Sequence, residues 1–148
     1  IWEDQKAKEK KDKGHESILD DVPHALPAIR RAQKLQSRAA RVGFEWPEVS
    51  QVLDKMEEEI AEMREALAGG KKAEILDELG DLLFVLTNFG RMLGADCEEA
   101  LRQASNKFER RFRGVEGALK AQGVRPEDAT LERMEELWVE EKSKERAG

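Results

Sequence analysis

The sequence is poor in the residues that mark several protein classes. It has one cysteine, Cys97, so an internal disulfide is impossible, which is compatible with a reducing cytoplasm. It has no tyrosine, four prolines and only 5% aromatic residues. No segment alternates cleanly between apolar and polar residues, as half-buried β-strands do. These shortages argue against a disulfide-stabilised fold and against a sheet protein.

Long apolar runs and an excess of positive charge are also missing. The most apolar segment, residues 75–93, is interrupted by Asp77, Glu78, Asp81 and Arg91, so it does not predict a membrane span. The formal net charge is −6, and nothing indicates the basic face of a nucleic-acid binder. We therefore expect neither a membrane nor a nucleic acid as a partner.

Helix-forming residues dominate the sequence instead. Charged residues make up 39% of it, and the abundance of Ala, Leu, Glu, Lys and Arg favours helices. Apolar residues recur at helical spacing in five segments, which predicts an all-α bundle of about five helices. The predicted helices span about 27–42, 46–69, 72–93, 96–121 and 130 onward.

The sequence leads to different predictions for residues 1–20 and for the rest of the chain. Residues 1–20 are polar and dense in lysine, so we expect a charged linker or an N-terminal helical extension. Residues 21–148 then form the helical domain. The chain begins at Ile1 rather than Met, and we expect it to be a piece of a longer protein.

The third predicted helix differs from the others because apolar residues cover most of its circumference. Such a helix is usually central and buried. Five helices with one of this kind leave much apolar surface to cover, so we expect a homodimer.

Four acidic residues on two neighbouring helices form a candidate metal site. Glu59 and Glu62 are three apart on the second helix, as are Glu78 and Asp81 on the third, so each pair lies on one helix face. Antiparallel packing through the Gly69–Gly70 loop would bring the four carboxylates together. Such crowding requires counter-charge, and hard oxygen ligands suit Mg²⁺ or Mn²⁺.

The two pairs of acidic residues differ in how strongly they indicate a metal site. Glu59 and Glu62 lie on a charged helix, where solvated acids are common. Glu78 and Asp81 interrupt an apolar helix, where unpaired acids are costly. Gly80 between them costs about 1 kcal/mol relative to Ala in a helix, which would make sense if something approached the backbone closely.

Other residues could contact a substrate, and each has a structural alternative. Lys107 and Arg111, four apart on the fourth helix, fit a phosphate clamp or an exposed basic face. Trp138, followed four residues later by Lys142, fits a core residue or a ring that stacks on a base. Asn88, among apolar residues, fits a satisfied core amide or a substrate contact.

Several of these features lie in segments that resemble a known family. The run ELGDLLF at 78–84 followed by NKFERRF at 106–112 is the most specific of them. Together the segments resemble the C-terminal domain of bacterial MazG proteins and cover most of residues 19–146. The matching segments are LDDVPHALPAIRRAQKLQ (19–36), VGFEW (42–46), EEIAE (58–62), DELGDLLFVLTNFGRMLG (77–94), NKFERRF (106–112) and MEELWVEEK (134–142).

The resemblance implies a dimeric, all-α catalytic domain over residues 21–148. It implies Mg²⁺-dependent hydrolysis of ribo- and deoxyribonucleoside triphosphates to the monophosphate and pyrophosphate, with Mn²⁺ as a possible substitute. Members often carry two such domains, and we expect that only the second is present. The implied metal ligands are Glu59, Glu62, Glu78 and Asp81, and the implied phosphate or nucleotide contacts are Lys107, Arg111, Trp138 and Lys142.

Within this scheme, Lys107 and Arg111 would stabilise charge that builds up on the phosphates. Glu58 has no assigned role: it fits a general base beside the ligands or a solvated residue. Two alternatives stay open. One is a relative with a narrow substrate, such as a dUTP, dCTP or phosphoribosyl-ATP pyrophosphohydrolase, and the other is a non-catalytic helical dimerisation module.

Overall fold

The computed structural model describes residues 16–147 and is all-α, as the sequence predicts. Within that range there are five α-helices, one short 3₁₀ turn and no strand. The helices are α1 (Ala28–Arg41), α2 (Val49–Gly69), α3 (Lys72–Met92), α4 (Cys97–Ala121) and α5 (Leu131–Ala147), with the 3₁₀ turn at Pro126–Asp128. None of the described helices is long and apolar enough to cross a membrane.

The linker expected over residues 1–20 is described only in part. Residues 1–15 lie outside the described range, and residues 17–22 form turns ahead of α1. A backbone hydrogen bond from Val22 to Leu19 closes one of these turns at 3.1 Å. The boundary between linker and domain therefore stays a prediction.

Local signals set most of the helix ends. Gly70 ends α2 in the left-handed conformation, with φ at 70°, which glycine adopts at little cost. At the start of α5, the Thr130 hydroxyl accepts a hydrogen bond from the Arg133 N–H at 3.1 Å, as an N-cap does. The second helix begins at Val49, later than Trp46–Pro47 predicts, and the Gln51 side chain accepts from the Glu48 N–H at 3.1 Å.

The described chain divides into two compact units: the first ends at Glu98, and the second begins at Glu99. In the first unit, two glutamines of α1 bind the backbone of α3. The Gln33 amide donates to the Thr87 carbonyl at 3.0 Å, and the Gln36 amide donates to the Phe84 carbonyl at 2.9 Å and to the Thr87 hydroxyl at 3.1 Å. Each of these bonds satisfies polar groups away from bulk water, so together they fix α1 on α3.

The apolar core of the first unit is small. Its buried hydrophobic residues among those described are Val22, Val52 and Ala66. The expectation of a buried α3 is wrong for the single chain, because only Thr87 and Gly90 of this helix are buried. Periodicity identifies apolar side chains but not what covers them, and α1 and α2 are too few to enclose a helix that is apolar nearly all round.

The second unit pairs α4, from residue 99 onward, with α5. Val115, Leu119 and Leu137 form its buried core. Partly buried apolar residues around this core include Met134 and Trp138. A Cβ added at Gly114 of α4 would overlap the side chain of Glu141 on α5, so glycine allows the two helices to approach closely at this point.

Candidate functional site

Three of the four predicted metal ligands converge in the hairpin of α2 and α3. One carboxylate oxygen from each of Glu59, Glu78 and Asp81 lies within 4.8 Å of the other two. In an octahedral Mg²⁺ site, metal–oxygen distances of about 2.1 Å separate ligand oxygens by roughly 3–4.2 Å. A small inward movement of these side chains would therefore let them share one ion.

Burial of this cluster leaves carboxylate oxygens without protein partners. Glu59 is only 5% exposed, whereas Asp81 is exposed and Glu78 intermediate. The Oε2 atoms of Glu59 and Glu78 are both buried and have no hydrogen-bond partner. An unpaired buried carboxylate is costly, and a hard divalent cation would supply the missing contact. The donor set and its unsatisfied oxygens thus fit Mg²⁺ or Mn²⁺.

Glu62 lies beside this cluster rather than within the converging group of three. Its charge nevertheless acts on Glu78. The pKa of Glu78 is raised from 4.5 to about 7, first by desolvation and then by the neighbouring charge of Glu62 and by Glu59. Crowded negative charge makes the second carboxylate harder to ionise. Glu62 is exposed, so it could still move onto a bound ion, and its assignment as a ligand stays a prediction.

Lys55 is a residue of this site that the sequence analysis missed. Its ammonium nitrogen lies 3.2 Å from Oε1 of Glu59 and 3.4 Å from Oε2 of Glu58. The available signal was the spacing of Lys55 from the two glutamates, three and four residues on. Lys55 partly neutralises Glu59, and the Glu58 side chain is 66% exposed. This exposure favours a solvated role for Glu58.

Gly80 and Asn88, the other residues singled out on α3, have different surroundings. A Cβ added at Gly80 would meet no atom within 4 Å, so no described part of the chain makes the close approach that this glycine indicated. The Asn88 side-chain oxygen accepts a hydrogen bond from Arg91 Nε at 2.9 Å, and Arg91 also pairs with Glu45 at 2.6 Å. Asn88 therefore has a structural partner, and its contact with substrate stays a prediction.

The predicted phosphate and nucleotide contacts all lie in the second unit. The Arg111 guanidinium carbon lies 5.7 Å from the centre of the Trp138 ring, within the range of a cation–π contact. Trp138 also packs against Phe108, with ring centres 5.3 Å apart. Lys107 is exposed and Lys142 half-buried.

Trp138 packs on the core, as one of its two alternatives predicts, and stacking of its ring on a base stays a prediction. One side of the residue packs on the buried core of the second unit, and its ring also contacts a guanidinium. The structure therefore brings Arg111 and Trp138 together, as it does Glu59, Glu78 and Asp81 in the first unit.

The sequence matches a known domain family over the segment that holds the acidic cluster. Residues 48–115 match the MazG nucleotide pyrophosphohydrolase domain. This segment contains the four predicted metal ligands, together with Lys107 and Arg111.

Relatives from three bacteria align with almost the whole chain. A nucleoside triphosphate pyrophosphohydrolase of Escherichia coli K12 is 46% identical over 148 residues, covering 97% of this chain and 56% of that protein. The Thermotoga maritima nucleoside triphosphate pyrophosphohydrolase/pyrophosphatase MazG is 38% identical, covering 95% and 54%. Bacillus subtilis YabN, an uncharacterised protein, is 42% identical, covering 98% and 30%. The chain thus spans little more than half the length of the first two relatives.

Replacing Glu78 with Gln should stabilise the metal-free protein at pH 8 and change its stability little at pH 4. The raised pKa of about 7 means that the folded chain holds this proton more tightly than the unfolded chain. Stability is therefore lost as pH rises from about 4.5 through 7. The amide cannot ionise, so it removes this loss. Denaturant unfolding in EDTA at both pH values measures the effect.

The matched control is Glu57→Gln, because Glu57 lies on the same helical hairpin but is exposed. This variant should unfold like the unmodified protein at both pH values. A Glu78→Gln variant that was less stable than the unmodified protein at pH 8 would contradict the charge crowding described for the cluster.

Proposed function

We propose that the chain is a member of the MazG nucleotide pyrophosphohydrolase family, whose domain matches residues 48–115, and that it hydrolyses nucleoside triphosphates to the monophosphate and pyrophosphate. The proposed substrates include ribo- and deoxyribonucleotides. The observation that carries this proposal is the cluster of Glu59, Glu78 and Asp81, with two buried carboxylate oxygens that lack hydrogen-bond partners. A structural acid cluster would be expected to have its oxygens satisfied by the protein.

The metal proposed for this cluster is Mg²⁺, with Mn²⁺ as a substitute. Glu59, Glu78 and Asp81 would hold it, and Glu62 would join them from the exposed side of α2. A divalent ion in such a site neutralises the triphosphate, orients it and activates water. Lys55, at 3.2 Å from Glu59, supplies a positive charge beside the cluster.

The proposed contacts to the rest of the substrate come from side chains whose chemistry matches it. Arg111 and Lys107 would bind phosphate oxygens, Arg through paired N–H groups and Lys as a point charge. The Trp138 ring, which lies 5.7 Å from the Arg111 guanidinium carbon, would stack on the base. Lys142 and Asn88 complete the predicted set.

The pyrophosphate-release assay described below also tests two alternative functions. A narrow-substrate enzyme for dUTP, dCTP or phosphoribosyl-ATP would share the acidic cluster but differ in base selectivity. A dimerisation module without activity would need no metal, and the unsatisfied oxygens of Glu59 and Glu78 argue against it. We further propose a cytoplasmic location, with which the free thiol of Cys97 is compatible.

The proposed homodimer is supported by apolar residues left exposed on the hairpin. On α3, Leu76, Leu79, Leu83 and Leu86 are 43–55% exposed, and their spacing places them in one stripe along the helix. Leu53, Ile60 and Leu67 of α2 are also exposed, and they are seven residues apart. Stripes of this length are uncommon on monomers and usual at helix–helix interfaces.

The activity is tested by measuring pyrophosphate release from all common ribo- and deoxyribonucleoside triphosphates, with Mg²⁺ and with EDTA. We expect release from several bases with Mg²⁺ and none with EDTA. Turnover of a single base would replace the broad-substrate proposal with the narrow one. Absence of release from every nucleotide would favour the dimerisation module.

Asp81→Asn should lower the Mg²⁺-dependent rate by about 10²-fold or more, because a metal ion contributes several kcal/mol to such reactions. The fold should be retained, since Asp81 is exposed and the amide has the same size. Glu57→Gln, on the facing helix, is the control and should keep full activity. Full activity of Asp81→Asn, with circular dichroism unchanged, would show that the metal site is wrongly assigned.

Leu83→Glu should convert the proposed dimer into monomers, because a charge buried in an apolar interface without a partner is costly. Leu83 is 53% exposed, so the single chain should still fold. Light scattering after gel filtration measures the mass of the species. The control is Leu131→Glu, at a residue that is 63% exposed in the first turn of α5. An unmodified protein that is monomeric at micromolar concentration would refute the dimer.

A further inference from the structure

We propose that Glu145 is a positioning residue that holds the Arg111 guanidinium with its outer edge free for a phosphate group. The inference rests on the proposed function, in which Arg111 binds substrate phosphate. Glu145 lies near the end of α5, after the last of the resembling segments at 134–142 and outside the domain match over residues 48–115.

The Glu145 carboxylate is shared between two neighbouring guanidinium groups of α4. Its Oε2 atom accepts a hydrogen bond from Arg111 Nε at 2.9 Å and lies 2.8 Å from Arg111 Nη2. Its Oε1 atom accepts from Arg110 Nε at 3.1 Å. The Arg111 side chain is 15% exposed and that of Arg110 is 62% exposed. Arg111 is thus the enclosed member of the pair, and its position is the more restricted.

The atoms that Glu145 contacts determine which part of Arg111 remains available. A guanidinium has five N–H groups arranged along two edges, and each edge can bind two oxygens side by side. Glu145 occupies the edge formed by Nε and Nη2. The other edge, formed by Nη1 and the outer N–H of Nη2, faces away from the carboxylate. That edge has the paired geometry that phosphate oxygens require.

Trp138 adds a second restraint on the same group. Glu145 fixes the guanidinium within its own plane, whereas the Trp138 ring lies 5.7 Å from its central carbon. Two restraints of different direction leave a long side chain little freedom to rotate. A side chain held in advance loses less conformational freedom when it binds a ligand, so binding is stronger.

The charges in this group keep it attractive to an anion. Arg110 and Arg111 with Glu145 sum to one net positive charge, and the carboxylate screens the repulsion between the two cations. The hydrogen bond from Arg111 and the charge of both arginines lower the pKa of Glu145, so the carboxylate is ionised at neutral pH. Glu145 is therefore a permanent acceptor for the two arginines.

The experiment below also tests the opposite role for Glu145, which is inhibition of phosphate binding. A carboxylate that competed with phosphate for Arg111 would inhibit, and its removal would strengthen binding. The two roles differ in sign, because removing a positioning residue weakens phosphate binding.

The test compares Glu145→Ala, Arg111→Ala and the double variant by pyrophosphate-release kinetics and by calorimetric binding of inorganic tripolyphosphate with Mg²⁺. We expect Glu145→Ala to lower kcat/KM and tripolyphosphate affinity about tenfold. Arg111→Ala should lower both further, and adding Glu145→Ala to it should have no additional effect. Glu145→Gln, which keeps an acceptor oxygen, should recover part of the loss.

The matched control is Glu109→Ala, which removes an equivalent contact to Arg113 Nη2 at 2.8 Å on the same helix. This variant should retain the kinetics and affinity of the unmodified protein. Thermal unfolding of each variant separates a loss of stability from a loss of binding. A purely structural role for Glu145 would lower activity equally with and without Arg111, because independent effects add.

Several results would overturn the inference. Unchanged or stronger tripolyphosphate binding by Glu145→Ala would do so, as would equal losses in the presence and absence of Arg111. Failure of the unmodified protein to bind tripolyphosphate would also overturn it. Failure of the proposed function looks different: no nucleotide would be hydrolysed, while tripolyphosphate binding would still show the coupling between Glu145 and Arg111.

Discussion

Repulsion between carboxylates across the α2–α3 hairpin is the constraint around which the first unit is organised. Glu59, Glu78 and Asp81 converge because the connection between the two helices is only two residues long. Val52 and Ala66 are buried in the same unit, and their burial favours the packed hairpin. Apolar packing therefore opposes an electrostatic cost that the protein relieves only in part, through Lys55. A bound cation would relieve the rest.

The positions of the helices in this chain follow from local sequence signals. The burial of side chains does not follow from such signals. Gly70 and Thr130 mark helix ends that the structure confirms, because glycine conformation and capping depend on a few adjacent residues. The exposure of Leu79 and Leu83 depends instead on which elements pack over α3. Hydrophobic periodicity contains no information about that, so the sequence predicted a buried helix and the single chain leaves it half-exposed.

The same distinction explains which site residues the sequence could identify. Glu78 was conspicuous because an acid in an apolar helix is unusual, whereas Glu59 resembled a solvated residue and is buried. Its burial arises only when α3 packs against α2. Lys55 had a detectable spacing, but Glu145 is 34 residues from Arg111. No short-range pattern links two residues at that distance. Glu145 also lies between charged residues, so nothing in the sequence distinguishes it from a solvated acid.

The two units use charge in opposite ways, and each use restricts the kind of group that its own unit can bind. The first unit concentrates negative charge that leaves carboxylate oxygens unsatisfied, so it repels a bare polyanion. The second unit holds Arg111 between an aromatic ring and a carboxylate, an arrangement suited to a planar contact with an anion. The acidic cluster of the first unit therefore suits a divalent cation, and the restrained guanidinium of the second unit suits the oxygens of a phosphate group.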